Sequence, residues 1–261
     1  MSDSAVESPP KVRMTRTEFR ATAYLAGVSG LRMLGLFIVL PVLALYAASL
    51  PGGGDPAMIG FAIGVYGLAQ AVLQIPFGWA SDRVGRKPAI AFGLVVFAAG
   101  SFVAAWAPDI VWLAAGRTLQ GAGAVSAVVM ALAADLTRDE VRTRAMAMIG
   151  ITIGATFAVS LVAGPVLGST IGVPGIFVLT GLLAIAAIAV VQFGVADPVA
   201  GARGHGGAGE RVAWRRVLAD PQLLRLDFGI FALHAILMAL FVQVPFALRD
   251  AGIVPSRHWM V

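Results

Sequence analysis

The chain has no cysteine, only three histidines and few charged residues, and each shortage excludes a class of function. Without cysteine there is no disulfide framework and no thiol chemistry. The histidines (205, 234 and 258) are scattered, and the sequence contains no metal-ligand spacing and no phosphate-binding loop. The pattern therefore predicts no enzyme. A composition of 59% hydrophobic and 13% charged residues is too apolar for a soluble globule.

Long runs without charge take the place of these features. A membrane-spanning helix needs roughly 20 apolar residues. Seven segments meet that requirement: residues 22–48, 58–80, 88–107, 110–134, 146–169, 173–195 and 228–248. They predict an all-α membrane protein that crosses the lipid bilayer several times.

The basic residues predict how the protein is oriented. Fifteen of the 19 lysines and arginines precede the first span or lie on alternate loops, while loops 49–57, 108–109 and 170–172 have none. Positive loops face the cytoplasm, so we expect a cytoplasmic N-terminus. Because the basic residues follow this topogenic pattern, the pI near 10 does not indicate a nucleic-acid partner.

The composition divides the chain into four parts. We expect residues 1–15 to be a disordered cytoplasmic tail and residues 16–197 to form a six-helix half. Residues 198–226 read as a glycine- and alanine-rich linker with an amphipathic helix on the inner membrane face, broken near Pro221. Residues 227–261 begin a second half with one helix. We expect a larger parent that contains the missing C-terminal half.

Two arginines lie inside spans. Burying a charge there costs several kcal/mol, so an arginine at such a position indicates a function. Arg32 in span one and Arg117 in span four hold equivalent places in two groups of three helices, which indicates inverted three-plus-three repeats. Gln70, Gln74 and Gln120 add polar groups expected to face the same interior. All five are candidates for a transport path. Snorkelling of the arginines and helix–helix hydrogen bonds of the amides are the alternatives.

A charged turn between spans two and three provides a second candidate site. Gly78 and Asp82 share one helix face, and Gly85 suits the left-handed residue that ends a helix. The candidate gating residues are Gly78, Asp82, Arg83, Gly85, Arg86 and Lys87 together with Asp135 at the end of span four. Asp82 and Asp135 are suited to ion pairs with Arg83, Arg86, Arg142 or Arg144. An ordinary basic loop is the alternative.

Span five carries small residues at helical spacing. Gly154, Gly164 and Gly168 permit close helix contact, and Pro165 bends the helix. Packing explains this pattern about as well as function does.

These segments resemble three signatures of the major facilitator superfamily. Residues 78–87 resemble its motif A, residues 117–121 motif B, and residues 154–168 motif C of the drug/proton antiporter branch. Residues 31–43 and 75–78 are similar to a bacterial inner-membrane transporter of that superfamily. The resemblance implies a secondary active transporter that moves a small solute by alternating access, with proton-coupled efflux.

The resemblance also implies roles for individual residues. It makes Asp82 a latch to a helix of the second half, with Arg83 and Asp135 in the same charge network. It implicates Arg117 in proton coupling and places the motif C residues between the halves. It implies no cofactor besides a proton gradient, and an unknown solute as substrate. A non-transporting sensor or scaffold with this fold, and an inactive truncated fragment, are the alternatives.

Overall fold

A computed structural model describes residues 13–196 and 219–254, and every regular element in these ranges is helical. The helices are α1 (Arg16–Phe37), α2 (Leu40–Ser49), α3 (Pro56–Val84), α4 (Arg86–Ala105), α5 (Ile110–Ala122), α6 (Ser126–Asp135), α7 (Asp139–Thr170), α8 (Gly172–Ala189) and α9 (Pro221–Asp250). A short π-helical segment, Val190–Gly194, extends α8. Together they form seven helical segments long and apolar enough to cross a membrane, which confirms the predicted number.

Side-chain caps fix where several helices begin. Thr15 and Glu18 form a reciprocal capping box at the start of α1. Asp55 and Asp109 accept backbone N–H groups at the starts of α3 and α5. A carboxylate is favoured there because the first N–H groups of a helix lack partners within the helix.

The seventh span begins earlier than the sequence indicates. Asp220 caps α9, and Pro221 is its first residue, where proline's missing N–H costs nothing. Residues 221–226, which the sequence assigns to the linker, therefore belong to the seventh helix. Residues 198–218 of the predicted linker and amphipathic helix lie outside the described residues, as do most of the predicted N-terminal tail and residues 255–261.

Two spans are interrupted, and they are the two that carry the deeply buried arginines Arg32 and Arg117. Span one breaks between Phe37 and Leu40, just before Pro41, which lacks an N–H for the helix. Span four breaks at residues 123–125, where Gly123 has ψ 49° and leaves helical geometry. The sequence pattern of apolar residues runs through both breaks.

The packing of the first six spans has the symmetry of two inverted repeats. Span one packs on spans five and six, and span four packs in the same way on spans two and three. Spans three and six pack on each other at the centre. Exchanging spans one to three with spans four to six leaves this pattern unchanged, which confirms the predicted three-plus-three arrangement.

The buried apolar residues form two large clusters at opposite ends of the bundle. One contains residues from the 38–47, 59–65, 104–114 and 173–177 segments. The other contains residues from the 25–28, 89–94, 125–133 and 187–195 segments and lies toward the end that carries the basic loops, here called the basic end. A smaller cluster around Tyr66 and Phe97 lies between them, and the buried Arg32, Ser101, Arg117 and Gln120 lie at the same level.

Candidate functional site

A layer of polar side chains crosses the middle of the bundle. We call it the arginine layer: Arg32, Tyr66, Gln70, Ser101, Arg117, Gln120 and Ser126. It draws residues from spans one to four. Four of the five residues predicted for the transport path are in it.

Arg32 is held by three spans. Its Nη1 donates to Ser126 Oγ at 2.7 Å, and its Nη2 donates to Tyr66 Oη and Gln70 Oε1, each at 2.9 Å. The guanidinium lies 5.6 Å from the centre of the Phe97 ring, and the residue is 2% exposed. Arg32 therefore faces the bundle interior and does not snorkel to a membrane surface.

Arg117 is equally enclosed. Its Nη1 donates to Gln120 Oε1 at 2.9 Å, and Gln120 Nε2 donates to Ser101 Oγ at 2.8 Å. The guanidinium lies over the Tyr66 ring at 4.7 Å, and the residue is 1% exposed. One face of Tyr66 thus meets Arg117 while its hydroxyl meets Arg32, which links the two arginines.

Glycines allow the backbones of spans two to four to approach this closely. A Cβ on Gly121 would collide with the Tyr66 carbonyl oxygen, and one on Gly100 would collide with the Gln120 backbone nitrogen. Larger residues would push the helices apart and separate the hydrogen-bonding side chains.

The structure separates Gln74 from this layer. Gln74 is half-buried one turn beyond Gln70 and makes no side-chain hydrogen bond within residues 13–196 and 219–254. Its predicted place in the path stays a prediction. Tyr66, Ser101 and Ser126 were not singled out from the sequence. For Tyr66 a signal was present, because it lies one turn before Gln70 on the same helix face.

A second polar group lies at the basic end. Arg86 pairs with Asp82 at 2.6 Å and with Asp135 at 3.1 Å, and its Nη1 also donates to Ser81 Oγ at 2.6 Å. Arg86 is thus the one among the four predicted partners that bridges both carboxylates. We call Ser81, Asp82, Arg86 and Asp135 the Arg86 cluster.

The turn between spans two and three is shorter than its sequence indicates. Asp82 and Arg83 belong to the last turn of α3, and α4 begins at Arg86, so Gly85 alone makes the turn. Gly85 has φ 101° and ψ 150°, a conformation open only to glycine. The predicted left-handed helical conformation of Gly85 is therefore wrong: its φ is positive, but its backbone is extended because α4 begins at the next residue.

Other residues of this turn are placed differently from the expectation. Arg83 lies over the Trp79 ring at 3.7 Å and makes no ion pair among the described residues, so its membership in a charge network with the second half stays a prediction. Lys87 is buried. A Cβ on Gly78 would meet no atom within 4 Å, which leaves that face open.

A further ion pair at the basic end was not predicted. Arg138 Nε donates to Glu18 Oε1 at 2.8 Å, and Nη2 donates to Glu18 Oε2 at 3.1 Å. This hydrogen-bonded carboxylate raises the pKa of Arg138. The sequence explains Glu18 as a helix cap, so nothing local signals a partner 120 residues away.

The span-five residues lie in two environments. Gly164 packs against the Ile38 carbonyl and Pro41, and Gly168 against Val42, so both contact span one at its break. They lie inside this half and not between halves as expected. Pro165 borders a cavity of about 450 Å³ shared with α9. Gly154 faces open space.

Comparison with known proteins identifies relatives over nearly the whole chain. The family model described as Major Facilitator Superfamily matches residues 25–254. The inner membrane transport protein YajR of Escherichia coli is 48% identical over 249 residues, which cover 95% of this chain and 55% of YajR. A class G tetracycline resistance protein of Vibrio anguillarum is 29% identical over 90% of this chain and 57% of that protein.

A solved structure shares the fold. A D-xylose–proton symporter superposes with a TM-score of 0.65 at 13% identity and covers 94% of this chain and 64% of that one. The chain thus spans little more than half the length of the two relatives compared by sequence.

Proposed function

The chain belongs to the major facilitator superfamily, and from this premise we propose that it forms the N-terminal half and seventh helix of a secondary active transporter. That transporter moves a small solute across a bacterial inner membrane by alternating access, as proton-coupled efflux. Its N-terminus and basic end face the cytoplasm, in agreement with the charge distribution.

The arginine layer carries this proposal. A bundle needed only to anchor a protein would have no reason to keep two buried guanidinium groups between two apolar clusters. In a transporter, polar side chains near the middle of the membrane line the solute path at the repeat interface. The interruptions of spans one and four, on the two arginine-bearing helices, fit such a path.

The second half is the expected partner of the open helix faces. Spans two and five are among the least buried in the bundle, and a Cβ at Gly60, Gly64 or Gly154 would meet no atom within 4 Å. Such faces accept another helix at close range. Asp82 lies near the same face and is 57% exposed at its side chain, in a position to contact that half.

Rocking of the two halves would expose the arginine layer to each side in turn. The Arg86 cluster would act as the cytoplasmic latch, with Asp82 reaching the second half. Arg117 would take part in proton coupling, since Gln120, Ser101 and Tyr66 hold it rigidly beside Arg32.

Reconstitution into liposomes tests the proposal. The complete gene product and the 261-residue chain are inserted separately into liposomes with an acidic interior and a trapped pH-sensitive dye. We expect the complete product to couple entry of a labelled solute to proton release, and Arg117→Ala to abolish it. Absence of gradient-driven flux across a broad solute panel, with protein partners still captured, would favour the sensor or scaffold alternative.

A further inference from the structure

The arginine layer contains two cations and no carboxylate. Within residues 13–196 and 219–254, every aspartate and glutamate lies in a loop or within two turns of a helix end, and Asp227 in α9 lies furthest in. Within the layer the partners of Arg32 and Arg117 are hydroxyl, amide and aromatic groups. The Nε atoms of both arginines are buried without a hydrogen-bond partner.

Neutral partners orient a guanidinium but do not compensate its charge. Hydroxyl and amide oxygens accept its N–H groups, yet the net positive charge remains in an apolar surrounding, where an uncompensated ion is costly. Tyr66 contacts both arginines and therefore holds the two positive charges close together. The layer is built to attract a negative charge.

A cavity beside Arg32 has room for that charge. It measures about 50 Å³, and its lining includes Ser29, Arg32 and Ser126, although almost all of the surface that faces the cavity is apolar. This volume suits a single carboxylate or phosphate group and not a whole organic solute. The remainder of a solute would extend toward the open side of the bundle.

We propose that Arg32 and Ser126 bind an anionic group of the transported solute, so that the substrate class is organic anions carrying a carboxylate or a phosphate. The assignment rests on the proposed transport function and names the substrate chemistry of its path. Charge-assisted hydrogen bonds from a guanidinium are the strong contacts by which proteins hold such groups.

Ser126 allows a test that leaves Arg32 in place. Ser126→Asp puts a carboxylate where the serine hydroxyl now lies 2.7 Å from Arg32, and Ser126→Asn is the control of matching size without charge. Thermal unfolding of the purified chain and of the complete gene product is followed in neutral detergent at constant ionic strength. The probes are benzoate, inorganic phosphate and tetraethylammonium.

We expect benzoate or phosphate to raise the unfolding temperature and tetraethylammonium not to; which anion is stronger distinguishes carboxylate from phosphate. Ser126→Asp should weaken anion binding at least about tenfold while Ser126→Asn changes it less than about threefold. Stabilisation by the cation, or by no probe, overturns the proposal. So does anion binding that Ser126→Asp leaves unchanged.

Variants at Arg32 provide a further test of the anion assignment. Arg32→Lys keeps the charge and should retain weakened anion binding, whereas Arg32→Gln should lose it. Arg249→Gln, at an exposed arginine, is the control.

Binding by the isolated chain but not by the complete product would mean that a carboxylate of the second half occupies the site, which also overturns the proposal. Flux of tetraethylammonium in the liposome assay would refute the anion assignment while leaving the transport function intact.

Discussion

The arginines of the middle layer and those of the basic end are partnered in opposite ways. Arg86 bridges two carboxylates, and Arg138 donates hydrogen bonds from two side-chain nitrogens to the Glu18 carboxylate. Arg32 and Arg117 have only neutral partners, although they are the more deeply buried. The arginines at the basic end join helices through ion pairs, whereas the positive charges of the two arginines in the middle layer remain available to a ligand.

Two of the ion pairs at the basic end join the two repeats, and their polarity is reversed. Glu18 of the first repeat meets Arg138 of the second, and Arg86 of the first repeat meets Asp135 of the second. Asp135 and Arg138 are three residues apart in one loop region. This loop therefore fastens the two repeats together, and its contribution should appear as stability of the half itself.

Arg117→Met should give the largest effect and separate function from stability. Replacing a buried charge by an apolar side chain of similar size is often neutral or stabilising, so the unfolding temperature should stay or rise. Transport by the complete product should fall about 100-fold or more, equivalent to about 2.7 kcal/mol. Calorimetry in detergent and liposome flux measure the two quantities. A marked loss of stability would mean that the layer is structural.

Arg86→Ala should show the reverse pattern in the isolated chain. It leaves the half-buried Asp135 without its partner and removes the donor to the buried Ser81 hydroxyl, which should lower the free energy of unfolding by about 2–3 kcal/mol. Denaturant unfolding followed by tryptophan fluorescence measures this. Arg83→Ala, which removes an exposed arginine stacked on Trp79, is the control and should cost less than about 1 kcal/mol. Equal losses of stability in the Arg86→Ala and Arg83→Ala variants would show that the Arg86 cluster does not stabilise the chain.

Glu18→Gln should have a smaller effect. The capping hydrogen bond to the Thr15 N–H survives, but the charge that holds Arg138 is lost, and because Arg138 is half-exposed the cost should be about 0.5–1 kcal/mol. A double-mutant cycle with Arg138→Gln measures the coupling. Additive effects would show that this pair does not fasten the repeats.

Asp82→Asn should have the smallest effect on the half and still impair the transporter. Because Asp82 is exposed, its pairing with Arg86 should contribute less than about 0.5 kcal/mol to the stability of the isolated chain. If Asp82 latches to the second half, flux by the complete product should nevertheless drop. Unchanged flux would remove the latch from the account.

The sequence predicted the architecture well because lipid imposes a simple rule. An uncharged run of about 20 residues is enough to identify a span, and a charge inside one must face the interior. Arg32, Gln70, Arg117 and Gln120 were found in this way. The need for glycine at residue 85 followed from its place at the end of a helix.

The partners of these residues could not be read from the chain. Ser126 lies 94 positions from Arg32, and a serine in an apolar helix has no distinguishing pattern. The breaks at Phe37 and Gly123 depend on where Pro41 and the glycines meet neighbouring helices. For Glu18 the local capping role hid the long-range pair, and for Arg83 the charge pattern did not reveal the preference for Trp79.

Because this chain has no cysteine, a single introduced thiol reacts alone once any cysteine of the second half has been replaced by serine, which makes the most direct test of the central claim possible. Ser126→Cys in membrane-embedded complete product is treated with anionic sulfonatoethyl and cationic trimethylammonioethyl methanethiosulfonate, and Ser169→Cys provides the reference rates. We expect Ser126→Cys to react, and the anionic reagent to gain at least about tenfold over the cationic one relative to that reference. No reaction, or preference for the cationic reagent, would contradict an anion-attracting path through the arginine layer.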